Sequence, residues 1–366
     1  MKYTIQKDNN MPAYLQLYKQ VRDDIVKEIY PFNSKLPSKR ILAEEIGVST
    51  VTIEHTYALL CDEGYIEARE RSGYFVIFRT NDTFAISSNS IATHIPLTNH
   101  HQSSPTQFPF SVLTKTMRSV MSEYSEAILD KSPNSGGLEL REAIKQYLIR
   151  SRGIDADTEQ IIIGSGSEYL YTLIVELLGR ERIYAIESPS YKKIEQVYSA
   201  SDVKYQMLPL GNDGIESAAL WNSKADVLHI SPYRSFPSGV TATASKRHEY
   251  LRWAGKNNRY IIEDDFESEF SVSKKPEETL FSHTSDDNII YMNTFSKTIS
   301  PALRVGYMVL PKHLVSIFED KLGFYSCTVP TFEQFVLAEL INNGDFERHI
   351  NRVRRKKRKE MLDTKK

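Results

Sequence analysis

The chain has 366 residues, and its 46 basic and 47 acidic residues give a formal net charge of −1. This length is too great for one ordinary hydrophobic core and predicts two domains, while the charge excludes a general attraction to nucleic acid. With 40% hydrophobic and 25% charged residues, no apolar signal region and no run long enough to cross a membrane, we expect a soluble cytoplasmic protein without a membrane partner.

The first 79 residues predict three helices followed by a hairpin. In the first helix, apolar residues recur every four positions and form one stripe: Leu17, Val21, Ile25 and Ile29. Ser38 is expected to cap a second helix that Gly47 closes. Three residues later a third helix begins, with three apolar side chains facing inward: Ile53, Tyr57 and Leu60. Tyr65–Ala68 and Tyr74–Phe78 then alternate as strands around a basic tip.

Two helices joined by three residues are typical of a helix-turn-helix, whose second helix enters the major groove of DNA. Periodicity alone leaves open a small three-helix domain with a hairpin and no DNA partner. Four segments, however, resemble the GntR-type winged helix across residues 11–78: Leu36-Pro37-Ser38-Lys39-Arg40, Leu42-Ala43, Val48-Ser49 and Ser72-Gly73-Tyr74-Phe75-Val76. This resemblance implies that double-stranded DNA is a partner of the chain.

The resemblance, together with the outward position of the first residues of the recognition helix, predicts which residues contact DNA. They belong to the start of the second helix, the recognition helix and the wing: Ser38, Lys39, Arg40, Ser49, Thr50, Thr52, Arg69, Arg71 and Gly73. Thr50 departs from the family, in which an arginine usually follows the recognition-helix serine. Because a guanidinium that grips guanine or phosphate is missing there, we expect a different affinity or sequence preference.

Residues 80–107 are rich in Asn, Ser, Thr, His and Pro, and this composition predicts a flexible linker because it buries too little apolar surface to form a core. Downstream, a helix is predicted at Leu138–Arg150, and helices alternate with short apolar runs. These runs predict buried strands: Ile161–Ile163, Ile183–Ile186, Val227–Ile230, Tyr260–Ile262 and Ile289–Met292. The alternation predicts an α/β fold with a mostly parallel sheet between helices.

From Phe108 to the chain end, six segments resemble the fold-type I aminotransferases: Gly136–Arg141, Gly164–Ser167, Ser188–Tyr191, Phe236–Gly239, Ile261–Phe270 and Asn293–Pro311. Together with the first domain they resemble the MocR/GabR-like regulators, in which a GntR-type head precedes an aminotransferase-like body. A lone Ser-x-x-Lys is weak evidence, but these segments all occur in the family's order. The resemblance implies a body over residues 108–350 that binds pyridoxal phosphate, and a homodimer, since such sites are built between two subunits.

The resemblance assigns nine residues to the cofactor: Lys297, Asp264, Tyr191, Ser165, Gly166, Ser167, Thr294, Ser296 and Arg304. The Lys297 amine condenses with the aldehyde of pyridoxal phosphate, and the Asp264 carboxylate keeps the ring nitrogen protonated. Tyr191 lies on the ring face. The small residues 165–167 admit the phosphate to a helix N-terminus, and Arg304 and the hydroxyls hold it. No residue is assigned to catalysis or to a metal.

Two departures from the family affect function. A tyrosine that donates to the cofactor commonly follows the aspartate by two residues, but here the position is Phe266, so cofactor binding is expected to weaken by about 1 kcal/mol. Relatives also continue into a small C-terminal domain whose arginine binds the substrate carboxylate. Residues 351–366 match the helix leading there, so that domain is expected to be largely missing, either from a fragment or from an incomplete version of a longer protein.

These features predict a DNA-binding transcription regulator whose body binds pyridoxal phosphate through Lys297 and senses an amino compound. Two alternatives remain: a working aminotransferase with a secondary head, and a DNA-binding dimer whose degenerate body holds no cofactor. A GntR-type head has no use in a metabolic enzyme, which favours regulation. Retention of Lys297, Asp264 and Arg304 favours a bound cofactor, while Phe266 and the missing C-terminal arginine count against efficient turnover.

Overall fold

The computed structural model describes residues 3–5, 11–79, 108–256, 258–265, 268–271, 279–283 and 288–363. The chain divides into two compact units, residues 1–100 and 101–366. The predicted linker, residues 80–107, lies outside the described residues. Among the helices of the described ranges, none combines the length and the apolar character that crossing a membrane requires.

The first unit contains three helices and a two-stranded antiparallel hairpin: α1 (Ala13–Val26), α2 (Lys39–Ile46), α3 (Thr50–Asp62), β1 (Ile66–Arg69) and β2 (Gly73–Val76). Its core contains six of the seven predicted apolar residues of the helices together with side chains of the hairpin: Leu17, Val21, Ile25, Ile53, Tyr57, Leu60, Ile66 and Val76. This arrangement confirms the predicted winged helix-turn-helix.

The predicted serine cap of α2 is present. The Ser38 Oγ accepts the backbone N–H of Ile41, and Gly47 closes α2 in the left-handed conformation, with φ +74°. The prediction that Ile29 belongs to the apolar stripe of the first helix is wrong. The helix α1 ends at Val26, Glu28 takes a left-handed φ of 58°, and Ile29 is 53% exposed. The chain leaves the helix here as it approaches Pro31, which cannot continue it.

In the described part of the second unit, one sheet contains eight strands: β3 (Ile161–Gly164), β4 (Tyr184–Ser188), β5 (Tyr205–Gly211), β6 (Gly214–Ile215), β7 (Val227–Ile230), β8 (Tyr260–Asp264), β9 (Ile289–Thr294) and β10 (Gly306–Val309). The helices are α4 (Phe110–Tyr124), α5 (Leu138–Arg152), α6 (Ser167–Leu178), α7 (Lys192–Ala200), α8 (Ser217–Asn222), α9 (Ala244–Ala254), α10 (Leu280–His283), α11 (Lys312–Leu322), α12 (Thr331–Asn342) and α13 (Asp345–Asp363). The last helix runs without a break through residues 350 and 351.

The strand order is β3-β10-β9-β8-β7-β4-β5-β6. Strands β9, β8, β7, β4 and β5 pair in parallel, which confirms the mostly parallel sheet, and β10 is antiparallel to both of its neighbours. The register of β10 pairs Gly306 with Gly164 on one side and with Thr294 on the other. Strand β10 therefore brings the loop after β9 beside the turn after β3.

Apolar clusters cover both faces of the sheet. One cluster packs α5, α12 and α13 against one face, and another packs α6, α7 and α11 against the opposite face. The parallel strands β4, β7 and β8 end at the same edge, at Ser188, Ile230 and Asp264. In open α/β sheets, ligands bind at this edge.

Candidate ligand-binding site

A cavity of about 240 Å³ opens at this edge of the sheet. Seven of the nine residues predicted to bind a cofactor line it: Ser167, Tyr191, Asp264, Thr294, Ser296, Lys297 and Arg304. Ser165 does not line it, and its backbone N–H donates to the Thr328 Oγ1 at 3.2 Å. Gly166 does not line the cavity either; it packs against the guanidinium of Arg304, which does.

The turn into α6 is shaped around the Arg304 guanidinium. Gly166 has a φ of +93°, and a Cβ atom at this position would lie 3.0 Å from the Arg304 Nη2 and 3.2 Å from its Cζ. Glycine therefore supplies both the conformation and the space that this contact needs. Ser167 begins the twelve-residue helix α6, whose first N–H groups have no partner within the helix. A guanidinium beside a helix N-terminus suits an anion.

Two predicted hydroxyls hold the loop that carries Lys297 and Arg304. The Thr294 Oγ1 donates to the carbonyl oxygen of Val305, and the Ser296 Oγ donates to that of Leu303, both at 3.1 Å. These two bonds join the beginning of the loop to its end, just before β10. Thr294 and Ser296 thus line the cavity and also set the position of the residues between them and β10.

Asp264 is the last residue of β8, and only 4% of it is exposed. Its Oδ2 accepts the Tyr171 hydroxyl at 2.5 Å and lies 3.6 Å from the His229 Nε2. The other ring nitrogen of His229, Nδ1, lies 2.7 Å from the Tyr198 hydroxyl. Burial, followed by the charge of Asp264, raises the pKa of Tyr171 well above its usual range, so this phenol remains a donor. The carboxylate is therefore buried and held in place by the Tyr171 hydroxyl.

These groups fit the chemical demands of pyridoxal phosphate. A buried carboxylate is available for a protonated ring nitrogen, and a guanidinium packed on a glycine at a helix start is available for the phosphate. The amine of Lys297 belongs to the same cavity. Tyr191 borders it with its ring 5.8 Å from that of Phe236, edge to face. Phe266, where we expect a missing hydrogen-bond donor, lies outside the described residues.

Several residues of the cavity escaped the sequence analysis, among them Glu168, Tyr171, Glu187 and Lys193. Tyr171 follows Ser167 by four residues on one face of α6, a spacing that was available as a signal. Glu187 directly precedes the segment Ser188–Tyr191. Its Oε2 accepts the Ser235 hydroxyl at 2.6 Å, and burial raises the pKa of its carboxyl to about 7.

Asp265, the neighbour of Asp264, is structural. Its Oδ2 accepts the Arg152 Nε at 2.7 Å and the Tyr291 hydroxyl at 2.6 Å, and its side chain is buried. It does not line the cavity. Two adjacent aspartates are therefore divided between an internal ion pair and the ligand site.

The residues predicted to contact DNA belong to the first unit. The Lys39 ammonium lies 2.7 Å from the Glu54 Oε1 on α3 and 5.9 Å from the centre of the Tyr74 ring on β2. The start of α2, the recognition helix α3 and the wing are therefore in contact around Lys39. The side chain of Arg40 is 87% exposed, with Glu44 at 3.3 Å as an ion-pair partner.

The other predicted DNA contacts differ in how free they are to reach a ligand. Thr50 and Arg71 are exposed, whereas the Ser49 Oγ caps α3 and lies 2.9 Å from the Thr52 Oγ1. The Arg69 guanidinium packs over the Phe75 ring, 4.3 Å from its centre, and bonds to Glu67 and Asn33. The last of the set, Gly73, has a left-handed φ that lets the hairpin close beside Lys35.

Two family models match the chain. The model described as aminotransferase class I and II matches residues 105–364, and that described as bacterial regulatory proteins, gntR family, matches residues 13–76. The HTH-type transcriptional regulator YdeL of Bacillus subtilis (strain 168) is 32% identical over 367 residues, covering 97% of this chain and 79% of that protein. The "probable rhizopine catabolism regulatory protein MocR" of Rhizobium meliloti is 26% identical, covering 96% and 76%.

Among solved structures, a kynurenine aminotransferase of Pyrococcus horikoshii superimposes with a TM-score of 0.63 and 26% identity. The match covers 69% of this chain and 65% of that structure, so the chain spans slightly less than two thirds of it. The described body thus shares its fold with aminotransferases.

Proposed function

The chain belongs to the MocR-type branch of the GntR family of bacterial regulatory proteins, with an aminotransferase class I and II body, and from this membership we propose a DNA-binding transcription regulator whose body binds pyridoxal phosphate through Lys297. One observation carries the proposal. Lys297 and Arg304, on the loop between β9 and β10, and Asp264, at the end of β8, line one cavity. An amine, a buried carboxylate and a guanidinium match an aldehyde, a ring nitrogen and a phosphate.

When bound, pyridoxal phosphate supplies an electrophilic aldehyde and an electron-withdrawing ring. Asp264, fixed by the Tyr171 hydroxyl, would hold a proton on the ring nitrogen, because a buried carboxylate strongly favours a cationic partner. The N-terminus of α6 and Arg304 would bind the phosphate. Tyr191 would cover the ring and exclude water from that side.

The proposed effector is an amino compound, since a second primary amine is the group best suited to replace the Lys297 amine. A ligand that changes what Lys297 contacts acts on the loop that Thr294 and Ser296 hold closed. Such a ligand shifts a conformational equilibrium only by its difference in affinity for the two states. We propose that this difference is transmitted to a DNA-binding head of residues 1–79 through the linker of residues 80–107.

We further propose that the body, from residue 108, senses its ligand rather than turning it over, and that the chain acts as a homodimer on two DNA half-sites. The named relatives are regulators, which supports sensing, whereas the similar solved structures are aminotransferases. Measured release of a keto acid at enzyme-like rates would favour the aminotransferase alternative.

The decisive experiment compares the wild type with Lys297→Ala and with Lys312→Ala, an exposed lysine that pairs with Asp157 outside the cavity. After incubation with pyridoxal phosphate and removal of the unbound cofactor by gel filtration, we expect a visible absorption band in the wild type and in Lys312→Ala but not in Lys297→Ala. Borohydride reduction followed by peptide mass spectrometry should locate the modification on Lys297. A wild type that stays colourless would contradict the proposal.

A further inference from the structure

Glu168 places a carboxylate at the anion-binding end of the cavity. It lies in the first turn of α6, and its side chain is 23% exposed. The Oε2 lies 2.6 Å from the Arg304 Nη2, and the Oε1 lies 2.5 Å from the Lys193 Nζ. All three side chains line the cavity. The guanidinium proposed to bind a phosphate is therefore already bound by a carboxylate of the chain itself.

The contacts of Glu168 keep it ionised. Burial opposes ionisation, but hydrogen bonds from Lys193, from its own backbone N–H and from Arg304 outweigh it and lower the pKa of Glu168 to about 2. Negative charge is also favoured in the first turn of a helix. Near neutral pH this end of the cavity thus contains two positive charges and one negative charge.

A phosphate monoester would meet both the cations and this internal anion. It carries a charge of about −1.5 to −2 at neutral pH, so it is attracted by Arg304 and Lys193 and repelled by Glu168. The carboxylate also occupies donors that the phosphate needs, since Arg304 already donates to it. A phosphorylated ligand must therefore use the remaining donors beside a like charge, or displace the carboxylate from these contacts.

We infer that Glu168 is an internal competitor for the phosphate-binding cations, and that it lowers the affinity of the cavity for phosphorylated ligands so that they exchange instead of remaining bound. This inference rests on the proposed function, because it concerns the group that Arg304 binds. It makes Glu168 a specificity-determining residue: the carboxylate weakens binding of the phosphate and leaves binding of the unphosphorylated ring unchanged.

The test uses the full chain and two isosteric variants of the same helix. Glu168→Gln removes the internal anion, whereas Glu176→Gln removes a carboxylate that pairs with Arg180 outside the cavity. Each protein is titrated by calorimetry with pyridoxal phosphate, with pyridoxal and with inorganic phosphate. We expect Glu168→Gln to bind pyridoxal phosphate about tenfold more tightly than the wild type, the scale of one partly screened charge contact. Affinity for pyridoxal should be unchanged, and Glu176→Gln should match the wild type.

The inorganic phosphate titration separates this inference from the proposed function. If Glu168→Gln gains phosphate binding while no variant binds pyridoxal phosphate, the role of Glu168 stands and the cofactor proposal fails. If the wild type and Glu168→Gln bind both phosphate-bearing ligands equally, the inference is overturned, and the cofactor proposal is then judged by Lys297→Ala alone. Weaker binding in Glu168→Gln also overturns it, because Glu168 would then position Arg304 for the ligand.

Discussion

Glu187 illustrates how a single side chain of the cavity affects stability. It is buried at the end of β4, accepts the Ser235 hydroxyl, and is hydrogen-bonded by the backbone of Ser231. Burial raises the pKa of this carboxyl from 4.5 to about 7, because the charged form loses its hydration. The folded state therefore binds a proton more tightly than the unfolded state does. The resulting stabilisation is fully present below pH 4.5 and is lost as the pH rises through about 7.

The variant Glu187→Gln should remove this pH dependence. At pH 5 its unfolding free energy should be close to that of the wild type, and at pH 8 it should be higher by on the order of 3 kcal/mol, since no charge has to be buried. The chain's two tryptophans, Trp221 and Trp253, lie in the second unit, so their fluorescence during urea unfolding reports on that unit. Glu142→Gln, at an exposed position on α5, is the control. Parallel pH profiles for wild type and Glu187→Gln would contradict the argument.

At the scale of elements, the serine that caps the recognition helix α3 has two proposed roles, one in stability and one in DNA binding. The Ser49 Oγ accepts the backbone N–H of Thr52 and lies close to the Thr52 hydroxyl, so it fixes the first turn of the recognition helix. The same serine is a proposed DNA contact. A loss of DNA binding in a Ser49 variant is therefore ambiguous until the stability of α3 has been measured.

Ser49→Ala should destabilise α3 by about 1 kcal/mol, because an N–H of the first turn loses its acceptor. Hydrogen exchange of peptides covering residues 50–62, read by mass spectrometry, measures this directly and should be faster in the variant. Ser49→Asn, which retains a capping oxygen, should exchange like the wild type. If Ser49→Ala also leaves exchange unchanged, the cap does not stabilise the helix.

The elements that sequence reasoning located are those that a local pattern determines. Apolar runs predicted β7 at its observed bounds, and the serine-glycine signals located α2. Strand β10 was missed because Gly306–Val309 begins with a glycine and lacks a continuous apolar run of β-branched residues, and its pairing with β3 and β9 is decided by tertiary packing. Strand β5, partly exposed and interrupted by Pro209, lacks a continuous apolar run.

The ligand site likewise combines residues that could be located from the sequence with contacts that could not. Lys297, Asp264 and Arg304 were placed together because the resemblance supplied their order along the chain, and all three do line one cavity. The contacts of Glu168 with Arg304 and Lys193 were not foreseen, since they join residues 136 and 25 positions apart. An ion pair of this kind depends on the packing of α6 and α7 and leaves no periodic signal in the sequence.

At the scale of the whole molecule, electrostatics gives DNA no general attraction. The net charge is −1, and residues 1–79 contain 11 basic and 11 acidic residues. Affinity for DNA must therefore come from the placement of a few cations. Arg40 is the most exposed of the basic side chains in the ion pairs of the described first unit, and an exposed pair with Glu44 contributes little to stability. Its charge remains available for a phosphate.

Arg40→Ala should consequently weaken binding to every DNA sequence alike. The slope of log affinity against log salt concentration should become shallower by about 0.9, the contribution of one phosphate contact. Thr50→Arg, which adds a cation at the start of the recognition helix, should steepen the slope by a similar amount. Arg180→Ala breaks the equivalent pair with Glu176 in the second unit and should leave the slope unchanged. Fluorescence anisotropy on specific and scrambled duplexes at several salt concentrations measures all four proteins, and an unaltered slope in Arg40→Ala would remove Arg40 from the DNA surface.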